Sequence, residues 1–177
     1  MSSRKGRFGP DASPNEFEPS SRIFICLGTF ILWFGWYGFN AGSTTALSDG
    51  AQEVAARCCV TTTVAAAAGG VAAFTLSSYS KGAYDVVAYA NGILAGLVSI
   101  TAGCSNVDVW AAFVIGLVGG VTYYFAAKLL EKLHIDDPIG AFPVHGACGV
   151  WGVVATGLLD MLRTHLTIAP NFFSKLI

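Results

Sequence analysis

Long apolar blocks separated by short polar ones run through most of the chain, and their lengths are those of membrane spans. Beyond residue 21 five apolar runs follow one another, about Arg22 to Ser43, Val54 to Leu76, Val86 to Thr101, Val107 to Leu130 and Ala141 to Leu159. Each is near the roughly 17 to 25 residues that a helix needs to cross a hydrocarbon layer, and the third is the shortest. Helices that are apolar nearly all round lie in protein or in lipid. The pattern therefore predicts an all-α integral membrane protein with about five transmembrane helices, over residues 22–160. Residues 1–21 are polar, with Arg4, Lys5, Arg7, three prolines and several serines. They lack the apolar region of a signal peptide and read as an aqueous segment leading into the first span. Residues 161–177 form a tail whose apolar end is too short to cross a membrane.

Composition supports the membrane reading. Of the 177 residues 54% are hydrophobic and only 12% charged, with a mean hydropathy of +0.59, whereas soluble domains carry about a quarter charged residues. The net charge of −1, with no basic run, gives no footprint for nucleic acid. Cys26, Cys58, Cys59, Cys104 and Cys148 show no CxxC spacing and read as small core residues, implying neither a disulfide framework nor a zinc site. No cofactor is called for. With the N-terminus on the cytoplasmic side, Arg4, Lys5, Arg7, Arg22, Lys81, Lys128 and Lys132 fall inside, and Arg57, Arg163 and Lys175 outside. That excess favours N-terminus in and C-terminal tail out.

The candidate chemistry is sparse. His145 is an ionisable ring within the last apolar run, where it is costly unless it faces the interior of a bundle. At helical spacing His145, Gly149, Gly152 and Thr156 form one stripe, and Val150, Val153, Val154 and Leu158 the opposite face. The bland alternative is a histidine satisfied by a neighbouring hydroxyl or carbonyl. In the first run Trp36, Phe39 and Ser43 share a ridge with Asn40 beside it, an arrangement able to hold a small cation through ring faces and a hydroxyl. Gly35, Gly38 and Gly42 share another ridge, and the alternative is an interfacial aromatic belt with a helix-packing face. Gly92/Gly96 and Gly116/Gly120 are further small-residue pairs that suggest a tightly packed bundle. Thr101, closing the third run, reads as a pore hydroxyl or as a helix-terminal residue. Asp137-Pro138 reads as an N-cap with proline at the first helical position. Adjacent Asp136 and Asp137 diverge, and with no nucleophile or metal-ligand set beside them an enzyme is not indicated.

Two stretches carry a specific resemblance: Gly28-Thr-Phe-Ile-Leu-Trp-Phe-Gly-Trp-Tyr-Gly-Phe-Asn-Ala-Gly-Ser43 and Asp136-Asp-Pro-Ile-Gly-Ala-Phe-Pro-Val-His-Gly-Ala-Cys-Gly-Val-Trp-Gly152. In sequence and order they resemble the ammonium transporter family, on the Amt side of the Amt/Mep/Rh superfamily. Gly92 to Cys104 resembles the segment between them, and Lys5-Gly-Arg-Phe8 the loop before. The resemblance implies an eleven-helix channel-like protein, usually a homotrimer in a cell membrane such as the plasma membrane, built from two inverted five-helix repeats and a last helix. This chain would cover the second repeat only. By motif position His145 matches one of two pore histidines, Phe39 one of two gate phenylalanines, Ser43 the hydroxyl of an outer recruitment site, and Trp36 a pore-lining tryptophan. Thr101 sits near an inner-pore hydroxyl. The implied solute is ammonium or ammonia. The alternative is a non-conducting truncated form, or a fragment that assembles with full-length subunits.

Overall fold

A computed structural model describes Phe8 and residues 19–159. The rest of the N-terminal segment and the 161–177 tail lie outside the described residues. Five helices follow one another: α1 (Arg22–Asn40), α2 (Ala51–Lys81), α3 (Val86–Thr101), α4 (Val109–Lys132) and α5 (Phe142–Leu159). All but α3 are long and apolar enough to cross a membrane, α1 together with the 3-10 turn Gly42–Thr44. The 16 residues of α3 extend only about 24 Å, short of a hydrocarbon core of roughly 30 Å. Beyond α3 the chain is partly covered, with Ala102, Asn106 and Asp108 exposed. Cys104 and Val107 are buried, and tight turns satisfy the backbone through bonds from Gly103 N to Ile100 O and from Asn106 N to Gly103 O.

The end of α2 differs from expectation. The apolar run stops near Leu76, but the helix continues through Ser77-Ser-Tyr-Ser-Lys81 until Gly82, whose φ of +65° suits a glycine C-cap. Hydropathy marks the part of a helix that meets lipid, whereas the helix itself ends where its backbone bonds end. Asp85 turns the corner into α3. Its carboxylate accepts from Ser77 Oγ at 2.7 Å, from Lys81 Nζ at 2.6 Å and from the Ala88 N–H at 3.0 Å. Burial alone would raise its pKa, but the bonds from Lys81, Ser77 and Ala88 outweigh it and hold the carboxyl below its ordinary value.

The core is built on glycine and alanine. Along α2, Ala65, Ala66, Gly69, Gly70, Ala72 and Ala73 are all buried. A Cβ on Gly69 would stand 2.5 Å from the Gly92 carbonyl oxygen and 2.9 Å from Gly96 Cα on α3, and one on Gly116 of α4 would run into the Ala65 backbone. The pairs Gly92/Gly96 and Gly116/Gly120 are thus contact points at which α3 and α4 close on α2. The ridge of Gly35, Gly38 and Gly42 on α1 does not behave this way. Nothing within the described residues lies within 4 Å of a Cβ built there. The expected packing face of α1 is open.

Candidate functional site

The α1 ridge forms as spaced. The rings of Trp36 and Phe39 meet edge to face with centroids 5.7 Å apart, and Ser43 Oγ donates to the Phe39 carbonyl oxygen at 2.6 Å. With its proton committed to a carbonyl, the exposed Ser43 oxygen keeps its lone pairs free to accept. Phe39 is 60% exposed. Asn40 turns the other way: it is buried and donates to Thr62 Oγ1 of α2 at 2.9 Å, while Tyr37 shares a hydrogen bond with Thr63 at 2.8 Å. These two bonds fix the rotation of α1 and leave Phe39 and Ser43 outward.

Trp36 joins the ridge to α3. Its Nε1 donates to Thr101 Oγ1 at 3.0 Å, and Thr101 in turn donates to the Leu97 carbonyl at 2.8 Å. Thr101 is the last residue of α3, the helix-terminal reading, and is also the partner of an α1 aromatic. Trp33, one turn earlier, packs with Trp36 on Ala66, Ile93 and Leu97, and its buried Nε1 has no acceptor among the described residues.

His145 stands on α5, at a place the expected geometry did not foresee. Residues Phe142–Ala147 form a turn of π-helix, which carries more residues per turn than an α-helix. The stripe from His145 to Thr156 consequently splits. Gly152 packs against the Ser99 backbone of α3, and Thr156 Oγ1 stands 2.6 Å from where a Gly103 Cβ would be, whereas His145 is exposed. Val150, Val153, Val154 and Leu158, the face opposite that stripe, are exposed at 68, 66, 50 and 54%. The cap differs too. Asp137 accepts from Ala141 N at 2.9 Å and Phe142 N at 2.8 Å, so it caps the helix, but Pro138 lies in an intervening turn closed by a bond from Gly140 N to Asp137 O. Gly140, with φ +66°, makes that turn possible.

Helix α3 therefore backs both candidate elements. It meets α1 through Ile93, Leu97 and Thr101, and α5 through Val98, Ser99 and Gly103. The far ends of α1 and α5 share one cluster, with Ala41, Ala155 and Leu159 around Ile100 and Ile115. Trp36, Phe39, Ser43 and Thr101 form one linked group, and His145 lies on the second helix that α3 supports. Among the described residues no group of three or more His, Cys, Asp or Glu side chains could hold a metal ion.

Span-length apolar helices that pack through glycine are those of a multi-pass membrane protein. The chain belongs to the ammonium transporter family, whose model matches residues 1–175. It is 41% identical over 155 residues to the ammonium transporter Amt2 of Archaeoglobus fulgidus, covering 88% of this chain and 32% of that protein. It is 39% identical over 171 residues to ammonium transporter 1 member 4 of Arabidopsis thaliana, covering 90% and 34%. The crystal structure of Candida albicans Mep2 matches with a TM-score of 0.74 and 37% identity, over 80% of this chain and 30% of that one. The chain spans about a third of the length of the curated relatives it matches.

Proposed function

We propose that these residues form one wall of a transmembrane path for ammonium or ammonia, and that the opposite wall comes from a segment corresponding to the remainder of the relatives' length. The observation that carries this reading is that Phe39, Ser43 and His145 are all exposed, on two helices backed by α3. An imidazole on the open side of a membrane bundle is costly against lipid, so an ionisable ring at that depth normally faces a bundle interior or a polar path. Ser43, with its proton engaged and its lone pairs free, accepts a hydrogen bond from the incoming cation. Phe39 and Trp36 offer ring faces to the same cation and exclude water beyond it.

Charge decides what passes further. An isolated ammonium ion moved into a low-dielectric path costs on the order of tens of kcal/mol in the Born limit, whereas neutral ammonia escapes most of that cost. A neutral imidazole donates from one ring nitrogen and accepts at the other, a form in which His145 guides a neutral amine or relays its proton. Thr101 adds a lone pair beside its bonds to Trp36 and Leu97. The complete assembly is a homotrimer in the plasma membrane, with lipid against the outer helices.

It follows that the 177 residues alone do not conduct, and that where they occur alone they act by assembling with full-length subunits. Reconstitution into proteoliposomes tests both statements. The complete protein is expected to carry ammonium-specific flux and the isolated chain none above empty vesicles. Flux from the isolated chain would sink the reading of a half-path.

A further inference from the structure

Two of the five free thiols meet where α2 begins and α3 ends. Cys58 and Cys104 are 1% and 7% exposed and belong to one buried cluster with Ala65, Ile100 and Val107. Thr61 Oγ1 lies 3.2 Å from the Cys58 carbonyl oxygen and 2.8 Å from that of Cys104, so one hydroxyl holds the two cysteine backbones side by side. An ion pair between Arg57 and Asp108 at 3.9 Å closes the same seam. Burial first, and then the sulfur of Cys58 beside it, push the Cys104 thiol above its ordinary value. Cys59, adjacent in sequence, points elsewhere and lines the crevice between α1 and α2 with Tyr37, Val60 and Thr63.

We infer that Cys58 and Cys104 are a disulfide-forming pair, which on oxidation clips the first turns of α2 to the turn that follows α3. The oxidant is a small disulfide such as oxidised glutathione. One protein thiolate attacks a sulfur of that reagent and expels one reduced thiol. The second protein thiolate then attacks the mixed disulfide and expels the other. The protein pair loses two electrons and two protons, and the reagent gains them as two thiols. Compartment and position agree. The positive charges put this seam on the side away from the basic N-terminal segment, where an extracytoplasmic environment keeps disulfides oxidised. The clip acts on the candidate site as well, because Cys104 Sγ donates to the Thr101 carbonyl at 3.6 Å and Thr101 holds Trp36.

Buried, protonated thiols exchange slowly, so the test lets oxidation run to completion. Membranes containing the full chain are incubated with oxidised glutathione, denatured in the presence of N-ethylmaleimide, digested without reductant and analysed by mass spectrometry. A peptide pair linked through Cys58 and Cys104 is expected, released by dithiothreitol, lost in Cys58→Ser and retained in Cys59→Ser. Recovery of both residues as alkylated thiols would overturn the inference. So would a link that survives Cys58→Ser and disappears in Cys59→Ser, since the pairing would then be through the wrong face of α2.

Discussion

The glycines of α1 and those of α3 and α4 have similar spacings and opposite surroundings. Gly92, Gly96, Gly116 and Gly120 sit at helix crossings where a single added carbon meets backbone, while Gly28, Gly35, Gly38 and Gly42 have nothing within 4 Å. Small-residue spacing thus records that a helix approaches something closely, not that the partner is within reach of the same chain. On α2, α3 and α4 the partner is here. On α1, where only 11% of the spanning window is buried, it is not. The bundle accordingly divides into a closed wedge of α2, α3 and α4 and an open side carried by α1 and α5, with the candidate transport residues on the open side.

The sharpest way to break this comparison is to crowd both regions. Gly116→Leu drives a side chain into the Ala65 backbone, which cannot rotate away, and is expected to cost about 3 kcal/mol or more. Thermal unfolding in detergent should show a large loss, or no folded protein. A near-normal melting profile would mean that the wedge is not closed.

Next in size is the corner between α2 and α3. Asp85→Asn weakens bonds from Ser77 and Ala88 and removes the ion pair with Lys81, and hydrogen bonds to a charged group are worth about 1.5–3 kcal/mol. The sign of the pH dependence follows from a carboxyl held below its ordinary value of 3.8. The contribution is fully present above that value and is lost as pH falls through the lower folded one. Stability titrated into acid should therefore decline in the native chain through a step that Asp85→Asn lacks.

A smaller effect separates the joint between the two regions. Trp36→Phe and Thr101→Val each remove the bond between Nε1 and Oγ1, at about 1 kcal/mol, and a double-mutant cycle should return a coupling of about that size. Additive losses would mean that Trp36 and Thr101 do not hold each other. Smallest of all is Gly38→Ala, which meets open space and should change the stability of the isolated chain by less than about 0.5 kcal/mol. In a longer protein that carries the proposed opposite wall the same change is expected to matter more, because that wall would lie against α1.

Much of this was legible in the residues. Val86–Thr101 begins and ends where the apolar run does, because Asp85 caps one end and Ala102-Gly103 turns at the other. The ridge of Trp36, Phe39 and Ser43 follows from helical spacing alone. What could not be read were the features that depend on backbone irregularity or on distant partners. No periodicity announces the π-turn at Phe142–Ala147, although Pro143, which has no N–H to give an α-helical bond, is a signal for it. The bond between Trp36 and Thr101 joins residues 65 apart, and only packing of α1 on α3 brings them together. The polar residues Ser77 to Lys81 at the end of α2 are helical, and three of them, Ser77, Ser78 and Lys81, are bonded to Asp85 beyond the turn.

The central claim is that His145 belongs to a transport path and not to the packing of the bundle. Uptake of labelled methylammonium by the complete protein, normalised to its abundance in the membrane, tests it through His145→Ala. Because the side chain is exposed on the open side, abundance should hold while uptake or ion selectivity changes several-fold. Unaltered uptake and selectivity at equal abundance would contradict the account.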